Sequence, residues 1–175
     1  MPEPETNRKE NTSARGDRIR VVVASLGGLG LLPGIPGTFG ALFGLGLHLL
    51  AALFLSGWAL RVALLLFLAG LAWMNYALTP WATAYWKSED PSQFVADEAA
   101  GYLMAAAAAP DGPLFIVALG SFVLFRVLDV IKIPPAWQID RRMHGAWGIF
   151  LDDLVSGLYA AGVLHLLFAL GVLGR

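Results

Sequence analysis

The chain has 175 residues, 57% of them apolar and only 14% charged, where an average soluble domain carries roughly 25% charged residues. Nine of its charged residues fall in the first twenty positions, and across positions 21–86 the only charge is Arg61. Such a stretch cannot furnish a soluble surface, and a net charge of −1 leaves no footprint for nucleic acid. A soluble globular domain, a disordered chain and a DNA or RNA binder are therefore excluded.

The sequence contains no cysteine, which removes disulfide frameworks, thiolate zinc sites and cysteine nucleophiles. What remains is an all-α polytopic membrane bundle. It has about four to five membrane helices and an N-terminal interfacial or re-entrant segment. Residues 1–18 read as a polar cytoplasmic tail, disordered at its start, and residues 19–175 as a single membrane domain. The tail lacks the apolar core and cleavage site of a secretory signal. Its Arg8, Lys9, Arg15, Arg18 and Arg20 favour a cytoplasmic N-terminus.

Residues 19–32 are apolar but too short to cross, are rich in glycine, and are closed by Pro33-Gly34-Ile35-Pro36-Gly37. Membrane helices are predicted over 38–55, 58–78, 94–109, 114–131 and 151–173. Ser56-Gly57 and the run Pro110-Asp111-Gly112-Pro113 make turns, and Ser92 is a predicted cap for the third helix. Residues 81–93 and 132–150 are polar enough for connections on the inner side. Trp58, Trp73, Tyr76, Trp81, Tyr85 and Trp86 sit near span ends, as an aromatic belt would.

With the N-terminus inside, Asp97-Glu98, the trio Arg126, Asp129 and Lys132, and Asp152-Asp153 all fall at the inner ends of their helices. Charges at the edge of apolar helices are costly unless paired, hydrated or metal-bound. Each carboxylate pair needs a cation, and Arg126, Lys132 or a divalent ion satisfies that need. Hard oxygen ligands suit magnesium, which shares its coordination with substrate phosphate. Asp129, three residues from each cation, is placed to hold both, and arginine with lysine makes a phosphate clamp. Gly101 and Ala105 follow the first acidic pair, and Gly157 and Ala161 the second, at the spacing that lets helix backbones approach.

Blander readings account for parts of this pattern. Carboxylates just inside helix starts offset the helix dipole, and Arg126 and Lys132 are also positioned as positive-inside residues. His48 and His165 read as packed core histidines. Co-location of all the charges on one side favours a site.

Five blocks occur in order: Pro36-Gly-Thr38 with Gly40; Val95-Ala-Asp-Glu98 with Gly101; Phe125-Arg-Val-Leu-Asp129 with Lys132 and Pro135; Asp140-Arg141 with His144-Gly-Ala-Trp-Gly-Ile149; and Asp152-Asp153 with Gly157. Together they resemble the phosphatidylglycerophosphatase A family. The resemblance implies a bacterial inner-membrane lipid phosphatase with its active site facing the cytoplasm. It would convert phosphatidylglycerophosphate in the bilayer to phosphatidylglycerol and phosphate, with Mg2+ as cofactor. Carried over by position, it implies catalytic roles for Asp97, Glu98, Asp129, Asp152 and Asp153, with Asp97, Glu98, Asp152 and Asp153 as metal ligands. Thr38, Arg126, Lys132, Arg141 and His144 would bind substrate. The chain departs from the family pattern in Lys132-Ile-Pro-Pro135, and in having Leu32 and Ala41 at small polar positions of the first loop, which argues against a serine nucleophile there.

The alternatives are another lipid headgroup phosphatase or phosphotransferase, or a non-enzymatic small transporter. A transporter would place ionisable groups along a path through the midplane, whereas these cluster at one face. Cysteines introduced near residues 90 and 140 should resist an impermeant thiol reagent added outside intact cells. Labelling of either from outside would reverse the topology.

Overall fold

The computed structural model describes residues 5–136, 138 and 145–173, and among these every regular element is helical. In chain order they are α1 (Glu5–Ala24), a 3-10 turn (Leu29–Leu31), α2 (Pro36–Ala52), α3 (Gly57–Trp86), α4 (Ala96–Ala107), α5 (Leu114–Ile131) and α6 (Ala146–Ala169). Three helices are long and apolar enough to cross a membrane: α3, α5 and the Phe150–Ala169 portion of α6. With 17 and 12 residues, α2 and α4 extend only about 26 Å and about 18 Å, short of a full crossing with its interfaces.

The bundle is built around its shortest membrane-type helix. Ten of the twelve α4 residues are buried, and α2, α3, α5 and α6 all pack against it. Its composition explains why. Ala96, Ala99, Ala100, Ala105, Ala106 and Ala107 favour helix, and with Gly101 they project almost nothing, so neighbours come close on every side. Tyr102 and Leu103 fill the remaining space and are fully buried.

Glycines on the surrounding helices complete the approach. A methyl group at Gly157 of α6 would collide with the Gly101 carbonyl oxygen of α4. Methyls at Gly40 and Gly44 of α2 would stand 2.6 Å and 2.7 Å from the carbonyl oxygens of Val95 and Ala99. These are backbone-to-backbone contacts that no other residue permits. The Gly101 and Gly157 stripes expected from the sequence meet at one crossing, and the row on α2 adds a second.

Several boundaries differ from the sequence reading. The N-terminal segment is helical from Glu5, and α1 runs on to Ala24, where the Ser25 hydroxyl donates to the Val21 carbonyl (2.7 Å) and accepts the Gly28 amide (3.1 Å). The second span does not stop at Leu78. It continues through Pro80 to Trp86, ending where Lys87 adopts φ 54°. Aromatic packing holds this extra length: Trp81 stacks on Tyr85 with centroids 4.8 Å apart, and Trp86 meets both edge-on. The Trp81 indole also donates to Asp17 of α1 at 3.0 Å, with the Arg20 guanidinium 5.8 Å from its ring. Ser92 does not cap α4; Val95 is the cap residue and no side chain caps that end. Finally, α6 begins at Ala146 rather than 151 and ends at Ala169.

Gly157→Ala should lower the melting temperature of the detergent-purified protein by an amount equivalent to about 1–3 kcal/mol, because the α4–α6 crossing must open. Gly162→Ala, whose added methyl meets nothing within 4 Å, should leave it unchanged.

Candidate active site

Four elements meet at one end of the bundle: α2 and α4 start there, α5 finishes there, and the early turns of α6 pass alongside. Between them lies a polar cavity of about 160 Å³, lined by Pro36, Asp90, Ser92, Phe94, Asp97, Glu98, Asp129, Lys132, Asp152 and Asp153. Six of these carry carboxyl groups and one carries an ammonium.

One carboxylate oxygen from each of Asp97, Glu98 and Asp153 lies within 4.8 Å of the others. Asp97 and Asp153 are buried, and Glu98 Oε2 is a buried atom with no hydrogen-bond partner. The first two come from the opening turn of α4, where Asp97 Oδ1 accepts the Glu98 amide at 3.1 Å. Asp153 arrives from α6, and the Gly101–Gly157 contact one turn further along brings it this near. Gly37 leaves room for the Glu98 carboxylate, since a methyl there would stand 2.5 Å from Glu98 Oε1 and 3.1 Å from Arg126 Nη2.

Two ion pairs border this trio. Arg126 Nη1 meets Asp129 Oδ2 at 2.6 Å along α5, as the three-residue spacing suggested. Lys132 Nζ meets Asp152 Oδ2 at 2.8 Å, one of the cation–carboxylate pairings that the sequence left open. Lys132 makes this reach because it closes α5 at φ 50°, a left-handed conformation uncommon outside glycine, with its amide on the Leu128 carbonyl at 2.8 Å.

The charges expected to converge thus stand together: Asp97, Glu98, Arg126, Asp129, Lys132, Asp152 and Asp153. Within this set the three-carboxylate group leaves out Asp152, which faces Lys132. Thr38 sits in the first turn of α2, its amide on the Ile35 carbonyl at 3.0 Å, and does not line the cavity. Arg141 and His144 lie outside the described residues. The sequence reading missed Asp90 and Ser92 as lining residues; their signal was the polar Asp90-Pro91-Ser92 run just ahead of α4.

The opposite end has a different chemistry. A cavity of about 270 Å³ there is bordered by Arg61, which pairs with Asp111 at 2.9 Å and donates to the Ala109 carbonyl at 3.1 Å. His48 is buried as expected, sharing a 2.8 Å hydrogen bond with the Tyr102 hydroxyl. His165 is not a core residue: its Nε2 lies 3.0 Å from the Ala108 carbonyl oxygen in an exposed position. Arg61 and His165 thereby serve carbonyls just beyond the C-terminus of α4.

Fold and site define a helical membrane protein with an acidic, cation-bordered centre at one end of its bundle. A family model for Phosphatidylglycerophosphatase A matches residues 22–168. An Escherichia coli (strain K12) protein named Phosphatidylglycerophosphatase A is 39% identical over 87 residues, which is 48% of this chain and only 50% of that protein. A Haemophilus influenzae (strain ATCC 51907 / DSM 11121 / KW20 / Rd) protein of the same name is 31% identical over 137 residues, or 78% of this chain and 81% of that one. No solved structure matches the chain. The chain belongs to the phosphatidylglycerophosphatase A family.

Lys132→Met should cost about 3 kcal/mol of stability, because the buried Asp152 carboxylate loses its lysine. Adding Asp152→Leu to the same chain should recover most of that loss, as read from the two melting temperatures.

Proposed function

We propose that this protein is a magnesium-dependent lipid phosphatase that hydrolyses the terminal phosphomonoester of phosphatidylglycerophosphate. The observation that carries the reading is the Asp97, Glu98 and Asp153 group set between the Arg126–Asp129 and Lys132–Asp152 pairs. Family membership and the names of the two relatives supply the substrate.

Charge balance supports the cation. Six carboxyl groups and one ammonium line the cavity, so a doubly anionic phosphate meets net repulsion unless positive charge is added. The partnerless Glu98 Oε2 and the 4.8 Å spread of the three carboxylates fit a hard divalent ion. Asp97, Glu98 and Asp153 would hold it, with Asp152 beside them. Bound there, magnesium supplies Lewis-acid polarisation of a phosphoryl oxygen.

The chain's own residues do the remainder. Arg126 and Lys132 neutralise equatorial phosphoryl oxygens, as loose phosphoryl-transfer transition states require. Asp129 and Asp152 fix those two cations in place before substrate arrives, so little reorganisation accompanies reaction. Thr38, Arg141 and His144 are proposed as further headgroup contacts. A lipid substrate needs no extraction into water: its chains remain among apolar helices while the headgroup enters a cavity at the bundle's end. We place that end at the cytoplasmic face of a bacterial inner membrane, on the strength of the basic N-terminal segment.

Phosphate release from phosphatidylglycerophosphate in detergent should fall at least about 100-fold in Asp97→Asn, Glu98→Gln and Asp153→Asn proteins. Chelation should abolish it and added magnesium restore it. Undiminished release in the three variants would defeat the assignment of the site, and activity indifferent to chelator would defeat the role of the ion.

A further inference from the structure

A third cavity, of about 300 Å³, lies between α5 and α6, away from the charged end. Every residue lining it is apolar, with Ile116, Gly120 and Leu124 on one side and Leu164 and Leu167 on the other. Leu164 is fully buried and forms its floor, while Leu119 and Val123 stand exposed at the outer edge. The groove therefore opens from the bundle toward the surrounding lipid.

Its position relative to the active site follows from helix geometry. Ile116, Gly120 and Leu124 stand at four-residue spacing on α5 and line the groove against Leu164 and Leu167 of α6. Lys132, just past the end of α5, reaches the same neighbouring helix through Asp152. One seam thus carries a phosphate-binding cation at one end and an apolar groove further along. Leu124 lies eight residues from Lys132, about 12 Å, and Ile116 sixteen residues away, about 24 Å. Half of a bilayer's hydrocarbon core is about 15 Å thick. The near end of the groove, at Leu124, thus falls where the distal part of a lipid chain runs when its headgroup sits at Lys132, and its far end lies beyond the midplane.

We propose that this groove is an acyl-chain site, which holds the methyl-terminal part of one chain of the phospholipid engaged at Lys132 and so selects long-chain lipid. For its headgroup this rests on the lipid-phosphatase reading above. Burial against protein gains nothing over burial in lipid by the hydrophobic effect alone. The groove acts instead by packing and by limiting the poses of a bound lipid, which favours long chains over short ones by a modest factor. Gly120 is what keeps it open. A methyl there would stand 2.9 Å from Leu164 Cδ1, so any larger residue projects into the space.

Two measurements test the proposal. Gly120→Leu and, from the opposite wall, Leu167→Trp should lower kcat/KM for dipalmitoyl phosphatidylglycerophosphate about fivefold, leaving the dihexanoyl lipid within a factor of about two. Turnover of the short-chain lipid shows that each variant is folded. Equal effects on both lipids, or none on either, would overturn the chain-length role.

The second measurement does not depend on turnover. Phosphatidylglycerophosphate carrying a photoactivatable group at the end of one chain should label residues 116–124 and 164–167 in nanodiscs. Excess unlabelled phosphatidylglycerophosphate should compete, and phosphatidylcholine should not. Equal competition by both lipids would mean that bulk bilayer fills the groove, and would sink the proposal. Specific labelling without phosphate release would instead sink the phosphatase reading and leave the groove standing.

Discussion

Backbone-to-backbone contact around α4 is the constraint from which the other features follow. A twelve-residue helix cannot span a bilayer by itself, and its interior polar ends need cover. Alanines and one glycine let α2 and α6 pack directly on its main chain, with Gly40, Gly44 and Gly157 supplying the facing gaps. At one end this contact draws the carboxylates of two helices together. At the other it sets the carbonyls of Ala108 and Ala109, just past the end of α4, within reach of His165 and Arg61. Packing among small residues, which gains little from burial in a lipid solvent, is the means by which costly charges come to share a depth.

Electrostatics then divides the charged end into parts. The helix starts of α2 and α4 point at the cavity, so backbone dipoles offset some of the carboxylate excess. Arg126 and Lys132 are each matched to an aspartate, and Asp97, Glu98 and Asp153 stand together between those pairs. That division is what the proposed cation and anionic phosphate would require of the site.

Much of this was legible in the sequence. Hydropathy locates the bundle, and topology alone gathers Asp97, Glu98, Arg126, Asp129, Lys132, Asp152 and Asp153 at one end. The Gly101 and Gly157 stripes also foretold their crossing. The Lys132–Asp152 pair was legible only as one option among several cations, since the choice depends on a left-handed residue at the end of α5 that composition does not announce. The length of α3 was misjudged because Pro80 and the following aromatics read as a connection, whereas stacking of Trp81, Tyr85 and Trp86 carries the helix through them. His165 was misread as core because periodicity gives depth along a helix but not which neighbour's carbonyl is waiting there.

The Gly101–Gly157 crossing also has a mechanical meaning. With no side chain between the two backbones, it is the closest approach of α4 and α6 and the point about which a change in their crossing angle would turn. Asp153 lies four residues to one side of it, about 6 Å, and Leu167 ten residues to the other, about 15 Å. A tilt that displaces Leu167 by about 1 Å moves Asp153 by about 0.4 Å in the opposite sense. Asp153 therefore sits on the short arm of α6, where any change in the angle of the helix would reach it smaller than it is at Leu167.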